Sequence, residues 1–239
     1  MAPNLMTTLG LFWMSLSYIV MLYFDLSLTH DVPSWTYFFA GICIFIYQTL
    51  DACDGKQARK TKSSSPLGQL VDHGCDSFAI NFMFLSVIQA VGIPRFHIIF
   101  CYIGMQYIFW TSQWYENHTK ILMTNVGNIG VTEIELIIVL LHFITGIFGR
   151  HIWGISGNKV FPNFLVSLIE EKFTFGKNLL ELPLYEFVYW TIVTLMILIN
   201  IIMVVKIMMK QANILEQIAQ FIPVTIIVFL GFLNFIYFS

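Results

Sequence analysis

Charged residues are scarce in this 239-residue chain. Asp, Glu, Lys and Arg make up 11% of it, whereas soluble domains carry roughly 25%. The mean hydropathy is correspondingly high, at +0.76. This composition excludes a soluble domain and indicates an integral membrane protein. The sequence also lacks a basic stripe of the kind that contacts phosphate backbones, so we expect no nucleic-acid partner.

Cysteine is equally sparse, with four residues in the chain. None of them forms a C-x-x-C pair, and all lie in or beside apolar runs: Cys43, Cys53, Cys75 and Cys101. An extracellular disulfide framework is therefore unsupported. We interpret the four as small, polarisable residues packed among apolar neighbours.

Long apolar runs are what the chain has in abundance. A membrane-spanning helix needs about 20 apolar residues, and the candidates are 5–24, 35–53, 67–91, 97–114, 131–149, 186–205 and 218–238. We therefore predict an all-α, polytopic helical bundle embedded in a lipid bilayer. No basic segment precedes the first run and no cleavage site follows it, so we expect it to be retained. The basic loop from Lys56 to Pro66 faces the cytosol by the positive-inside rule.

Four carboxylates interrupt this apolar background within 26 residues. Asp51, Asp54, Asp72 and Asp76 follow the pattern D-x2-D-G-x2-A-R-x8-G-x3-D-x3-D. Residues three or four apart share one face of a helix. Four like charges in a low-dielectric setting stay ionised together when divalent cations lie between them. Because all the ligand atoms are oxygens, the pattern predicts Mg²⁺ or Mn²⁺ rather than zinc.

The stretch resembles the signature of CDP-alcohol phosphotransferases and matches it at all eight defining positions. Its surroundings resemble the choline/ethanolamine phosphotransferase branch, in the segments Pro3-Asn4-Leu-Met-Thr7, Tyr47-Gln48-Thr-Leu-Asp51, Lys56-Gln-Ala-Arg59, Ser63-Ser-Ser-Pro-Leu-Gly68 and Asp72-His-Gly-Cys-Asp76-Ser77. The resemblance implies a six-helix core, which we assign to residues 1–205. Residues 206–239 would add about one further helix, which makes the chain similar to a C-terminally shortened member.

The resemblance also implies a two-metal site in the acidic stretch. Asp51, Asp54 and Asp72 would hold one ion, and Asp51, Asp72 and Asp76 the second. Two ions placed in this way neutralise the charge that grows on a leaving phosphate. Structural carboxylates paired with nearby cations are the alternative, but Arg59 and a few lysines cannot balance four buried charges while also binding phosphate.

Six further residues resemble the family's binding site for the CDP-alcohol. Gly55 and Ala58 have no bulk, so cytidine and ribose can approach the backbone. Arg59 offers a planar fork of donors to a phosphate. The remaining three are identified by the resemblance alone: Asn4, Thr7 and Gly68.

His73 is the expected base, because a histidine exchanges protons near neutral pH. In the family the matching histidine is helped by a glutamate one turn earlier, and this chain has Gln69 there. Gln69 can orient His73 but cannot stabilise its imidazolium as a carboxylate would, so we expect weaker catalysis. Asp76 is the rival base. Glu133 and Glu135 begin the fifth apolar run, where carboxylates complement a helix dipole.

These expectations describe an enzyme that transfers phosphocholine, phosphoethanolamine or both from CDP-choline or CDP-ethanolamine to diacylglycerol. CMP is released, and phosphatidylcholine or phosphatidylethanolamine is made. The resemblance implies a membrane of the endoplasmic reticulum or Golgi, with the active site facing the cytosol. No short motif in the chain encodes a choice between choline and ethanolamine, and homodimerisation is left open.

Two other classes compete with this reading. A catalytically weak variant that regulates a full-length phosphotransferase is motivated by Gln69 and by the short C-terminal half. A divalent-cation transporter would also use intramembrane aspartates, but it leaves Gly55, Ala58 and Arg59 unexplained.

Overall fold

The computed structural model describes residues 1–120, 125–126, 129–172, 176–209, 219–220, 222–223 and 225–226. The described elements are helices, apart from one pair of two-residue strands. In chain order they are α1 (Pro3–Phe24), α2 (Ser34–Lys60), α3 (Pro66–Val91), α4 (Arg95–Thr119), β1 (Asn125–Val126), β2 (Ile129–Gly130), α5 (Val131–Phe148), a 3-10 helix (Arg150–Gly154), α6 (Gly157–Val160), α7 (Asn163–Lys172), α8 (Gly176–Glu181) and α9 (Leu184–Met208).

Five helices of the described chain are long and apolar enough to cross a membrane: α1, α2, α3, α5 and α9. The predicted all-α, polytopic membrane fold is thereby confirmed. The predicted run 97–114 is also helical, within α4, although α4 is not among the five. The run 218–238 falls largely outside the described residues, so the extra helix and the division at residues 205 and 206 stay predictions.

The basic loop begins later than the sequence predicted. We expected it to start at Lys56, but α2 continues to Lys60, because lysine, glutamine, alanine and arginine all favour a helix. The chain then passes through Lys62 in the left-handed region, at φ +54°. Ser65 caps α3 by accepting a 3.0 Å hydrogen bond from the Gly68 N–H. The last two turns of α2 therefore belong to a rigid helix rather than to a loop.

Two compact units make up the chain. The first comprises Met1–Pro94 and Ile129–Phe187. Its core draws residues from α1, α2, α3 and α5, which are Met14, Ile44, Tyr47, Ala79, Met83 and Val139. The second comprises Arg95–Asn128 and Val188–Ser239. Within it Trp114 and Tyr115 of α4 pack against Ile207 of α9, and the buried Thr111 hydroxyl donates a 2.9 Å hydrogen bond to Asn200.

Helices α2 and α5 approach closely through a reciprocal pairing of glycine and phenylalanine. A Cβ placed on Gly146 would lie 2.8 Å from the ring of Phe38, and one on Gly41 would lie 3.0 Å from the ring of Phe143. The two rings themselves are 5.9 Å apart. Each glycine thus makes room for the phenylalanine of the other helix, and the first turn of α5 lies beside Gln48, near the middle of α2.

The carboxylate of Asp25 holds the loop after α1 together through hydrogen bonds. Asp25 accepts hydrogen bonds from the N–H groups of Ser27 (2.9 Å) and His30 (2.7 Å) and from the Ser27 hydroxyl (2.6 Å). Burial raises the pKa of Asp25, but these hydrogen bonds outweigh it and hold the pKa well below its usual range. Arg150 donates to the His30 carbonyl at 2.7 Å. This loop lies at the end of α1 opposite Asn4 and Thr7.

Candidate active site

Three carboxylates of the acidic stretch come together in space. Asp51 on α2 and Asp72 and Asp76 on α3 each place one oxygen within 4.8 Å of the others. All three side chains are half-buried. Asp72 and Asp76 are four residues apart on one helix, so both can face α2. The group lies near the C-terminal end of α2 and in the first half of α3.

Asp54 lies beside this group but is not a member of it. The side chain is 5% exposed, and its Oδ2 accepts a 2.5 Å hydrogen bond from the hydroxyl of Thr7. It is close enough to Asp51 and Asp76 to interact with them electrostatically. Its predicted role as a fourth ligand stays a prediction.

Tyr47 holds Asp76 in place. Its phenolic hydroxyl donates a 2.6 Å hydrogen bond to Asp76 Oδ1. His73, the expected base, lies near enough to Asp76 to interact with its charge. Sequence reasoning did not select Tyr47 as a site residue, although it opens the segment that ends at Asp51. Its position one helical turn before that aspartate was the available signal.

The residues expected to bind the CDP-alcohol fall into local groups. Asn4 approaches the first turn of α3, because a Cβ on Gly68 would lie 3.5 Å from Asn4 Oδ1. The Arg59 side chain folds back toward Gly55, with Nη1 3.5 Å from where a Cβ would be. Ala58 is half-buried in the same turn of α2. The start of α1, the end of α2 and the start of α3 therefore surround one region.

Glu135 of α5 is a further carboxylate that sequence reasoning assigned elsewhere. It interacts electrostatically with Asp51 and Asp76. Nearby, Gln48 Nε2 donates a 3.3 Å hydrogen bond to the Thr132 carbonyl in the first turn of α5. The expected dipole role suits Glu133, whose carboxylate accepts a 2.7 Å hydrogen bond from the Gly130 N–H. No local signal distinguishes Glu135, because its neighbours come from other helices.

The three carboxylates offer the kind of oxygen ligands that a hard divalent cation prefers. Oxygens that share a Mg²⁺ or Ca²⁺ ion each lie about 2.0–2.6 Å from it, so any two are at most about 5 Å apart. The oxygens of Asp51, Asp72 and Asp76 meet that condition. Carboxylate ligands without nitrogen or sulfur also suit such ions.

A known protein family covers the part of the chain that holds this site. The sequence profile of CDP-alcohol phosphatidyltransferases matches residues 1–157, which include α1, α2, α3 and α5 with all four aspartates. The chain belongs to this family. Its members are generally dependent on divalent metal ions, in keeping with the acidic group.

Curated relatives fall within the same family. The uncharacterised CDP-alcohol phosphatidyltransferase class-I family protein 2 of Dictyostelium discoideum is 36% identical over 200 residues, covering 76% of this chain and 49% of that protein. Cholinephosphotransferase 1 of Xenopus laevis is 40% identical over 157 residues, covering 64% of this chain and 38% of that protein. Human cholinephosphotransferase 1 is 38% identical over 156 residues, covering 64% of this chain and 38% of that protein. The chain thus spans half or less of the length of these relatives.

Proposed function

We propose that this membrane protein transfers phosphocholine, phosphoethanolamine or both from the CDP-alcohol to diacylglycerol, and releases CMP. The observation that carries the proposal is the three-carboxylate group of Asp51, Asp72 and Asp76, whose oxygens lie within reach of a common ion. Its support comes from family membership and from the relatives named cholinephosphotransferase 1.

The four aspartates would hold two Mg²⁺ or Mn²⁺ ions. Such ions supply charge neutralisation to a pyrophosphate and its leaving group. The chain's own contribution is to fix the oxygens that bind them. Tyr47 orients Asp76 through its 2.6 Å hydrogen bond, and Thr7 orients Asp54. Asn4, Gly55, Ala58, Arg59 and Gly68 would receive the cytidine diphosphate at the surrounding helix ends.

The reaction joins the acceptor oxygen to the β-phosphorus of the donor. The bond between that phosphorus and the bridging oxygen breaks, and CMP leaves with the bond's electron pair. His73 takes the proton of the diacylglycerol hydroxyl as the new bond forms, with Asp76 as the rival base. The family has a glutamate at the position of Gln69, where its carboxylate would stabilise the imidazolium of the base. Because Gln69 carries no charge, we expect modest turnover.

A lipid acceptor also needs an apolar approach to this site. An apolar groove runs between α2 and α5, and only hydrophobic side chains line it: Ile42, Phe45, Leu136, Val139, Leu140 and Phe143. Leu136 and Val139 lie one and four residues after Glu135 along α5. The apolar lining of the groove suits an acyl chain of diacylglycerol. By resemblance to the family, the membrane is that of the endoplasmic reticulum or Golgi, and the site faces the cytosol.

A single assay tests the proposal. The purified chain in lipid nanodiscs is given diacylglycerol, Mg²⁺ and either CDP-choline or CDP-ethanolamine, and CMP release is measured. We expect turnover above the background of Asp51→Asn, and a large loss in His73→Ala with donor binding largely kept. Donor binding without any CMP release would support the regulatory alternative instead. Unchanged turnover in His73→Ala would transfer the role of base to Asp76.

A further inference from the structure

We propose that Glu135 and Gln48 form the subsite for the ammonium group of the donor's alcohol. We further propose that this subsite favours a primary ammonium, as in CDP-ethanolamine, over the quaternary ammonium of CDP-choline. The inference rests on the proposed function, because it names the substrate that the same site would take.

The position of Glu135 follows from the contact between α2 and α5. The Gln48 amide lies between the two helices, since its Nε2 bonds the Thr132 carbonyl. Glu135 is three residues after Thr132 and therefore lies on the same side of α5. One turn further along, Val139 packs in the core beside Tyr47. Glu135 thus faces the space between α2 and α5, within electrostatic range of Asp51 and Asp76.

Gln48 supplies an independent sign that a ligand belongs here. The residue is 8% exposed, and its Oε1 has no hydrogen-bond partner among the described residues. A buried acceptor left without a donor is unfavourable. The other atom of the same amide is already held by α5, so the side chain cannot turn away to find a partner without losing that bond. A donor group on a ligand would satisfy it.

The charge of Glu135 selects a cation. Glu135 stands outside the group of Asp51, Asp72 and Asp76, and in the proposed subsite its carboxylate pairs with the ammonium group beside the metal site. Two carbon atoms separate the ammonium of either donor from the phosphate oxygen. A primary ammonium carries three N–H donors, which can bond both the Glu135 carboxylate and Gln48 Oε1. A quaternary ammonium has no N–H group and gains only the attraction of the charge.

Donor binding without acceptor tests this directly. The full chain in nanodiscs, with Mg²⁺ and no diacylglycerol, is titrated with each CDP-alcohol by calorimetry. We expect wild type to bind CDP-ethanolamine about tenfold more tightly than CDP-choline, the effect of one or two hydrogen bonds. Gln48→Met should abolish that preference, because it should weaken CDP-ethanolamine by about tenfold more than CDP-choline, which makes no hydrogen bond to Oε1. Glu135→Gln should weaken both donors by about tenfold.

Each variant has a matched control in the chain. Gln57 lies on α2 like Gln48, and its Nε2 also donates a 3.3 Å hydrogen bond to a backbone carbonyl, that of Met1. Glu133 lies two residues before Glu135 and bonds the Gly130 N–H instead. Gln57→Met and Glu133→Gln should leave the ratio of the two affinities unchanged. Gln48→Glu retains an acceptor, and it should increase the preference for CDP-ethanolamine.

Three results would overturn the inference. Equal affinity of wild type for both donors is the first, and equal weakening of both donors by Gln48→Met is the second. The third is a change in the Mg²⁺ concentration needed for binding in Glu135→Gln, which would make Glu135 a metal ligand. If a folded chain that responds to Mg²⁺ binds neither donor, the proposed function itself fails, and this inference with it.

Discussion

The hydroxyl of Thr7 donates a hydrogen bond to Oδ2 of Asp54, a residue 47 positions later in the chain. Both side chains are buried, at 5% exposure each. The contact fastens the first turns of α1 to the end of α2 beside the acidic group. Donor binding by Thr7 stays a prediction, and the structure shows its hydroxyl bonded to a buried carboxylate, which it orients.

Thr7→Val should therefore destabilise the fold as well as lower activity. The change keeps the side-chain shape but leaves Asp54 without this donor, and an unsatisfied buried acceptor costs about 1–3 kcal/mol. Thermal unfolding in detergent measures the loss. Thr8→Val is the control, because the exposed Thr8 hydroxyl bonds only the carbonyls of Asn4 and Leu5 in its own helix. Equal melting temperatures of the two variants would contradict the prediction.

Tyr47→Phe should lower kcat/KM for CMP release by about tenfold. The hydrogen bond to Asp76 contributes about 1–1.5 kcal/mol, and each 1.4 kcal/mol corresponds to a factor of ten in rate. The ring stays in the core, so we expect the melting temperature to change little. Tyr18→Phe is the matched control, since Tyr18 stacks on Phe82 three turns further along α1 than Thr7. Full activity in Tyr47→Phe would show that Asp76 needs no orienting partner.

Divalent cations should stabilise the folded chain in the absence of any substrate. A ligand that binds only the native state at 100 times its Kd adds about 2.7 kcal/mol of stability. Mg²⁺ should thus raise the melting temperature of wild type, and K⁺ at equal ionic strength should not. Asp72→Asn should abolish the response, whereas Asp31→Asn, on an exposed residue outside the site, should retain it. If Mg²⁺ still raised the melting temperature of Asp72→Asn, the ion would bind somewhere other than this group of carboxylates.

The loop after α1 should make stability depend on acid pH through Asp25. Its pKa is lower in the folded chain than in the unfolded one, so its contribution is complete above the unfolded pKa of about 3.9. That contribution is lost as the pH falls toward the folded pKa. Asp25→Asn should therefore lower the melting temperature at pH 7, and its difference from wild type should shrink between pH 5 and pH 2. Asp31→Asn is the control in the same loop, and we expect no such convergence for it.

The sequence was informative wherever the relevant distance runs along one helix. Periodicity alone indicated that Asp72 and Asp76 share a face, and the apolar runs located α1, α3 and α5 within two residues at each end. Contacts between helices were less accessible. The Tyr47 hydroxyl meets Asp76 across 29 positions, and Glu135 reaches the acidic group from a helix that begins 55 residues after Asp76.

The position of Glu135 depends on how closely α2 and α5 approach, and glycines elsewhere along the two helices allow that approach. Gly41 and Gly146 make room for the rings of Phe143 and Phe38. A single glycine in an apolar run does not indicate in the sequence which helix it will contact. The dipole role of Glu135 stays a prediction. The structure adds electrostatic interactions with Asp51 and Asp76, which lie on other helices.

The length of α2 has a consequence for where the chemistry takes place. Its 27 residues extend about 40 Å at 1.5 Å each, whereas the hydrocarbon layer is about 30 Å thick. Asp51, the eighteenth residue of the helix, lies about 26 Å along α2 from its first residue, a distance close to the thickness of the hydrocarbon layer. Under the proposed function, a water-soluble nucleotide would reach this level from the headgroup region, and a lipid acceptor would reach it within its own leaflet. The two proposed reactants would thus meet at a level of the bilayer that both can occupy.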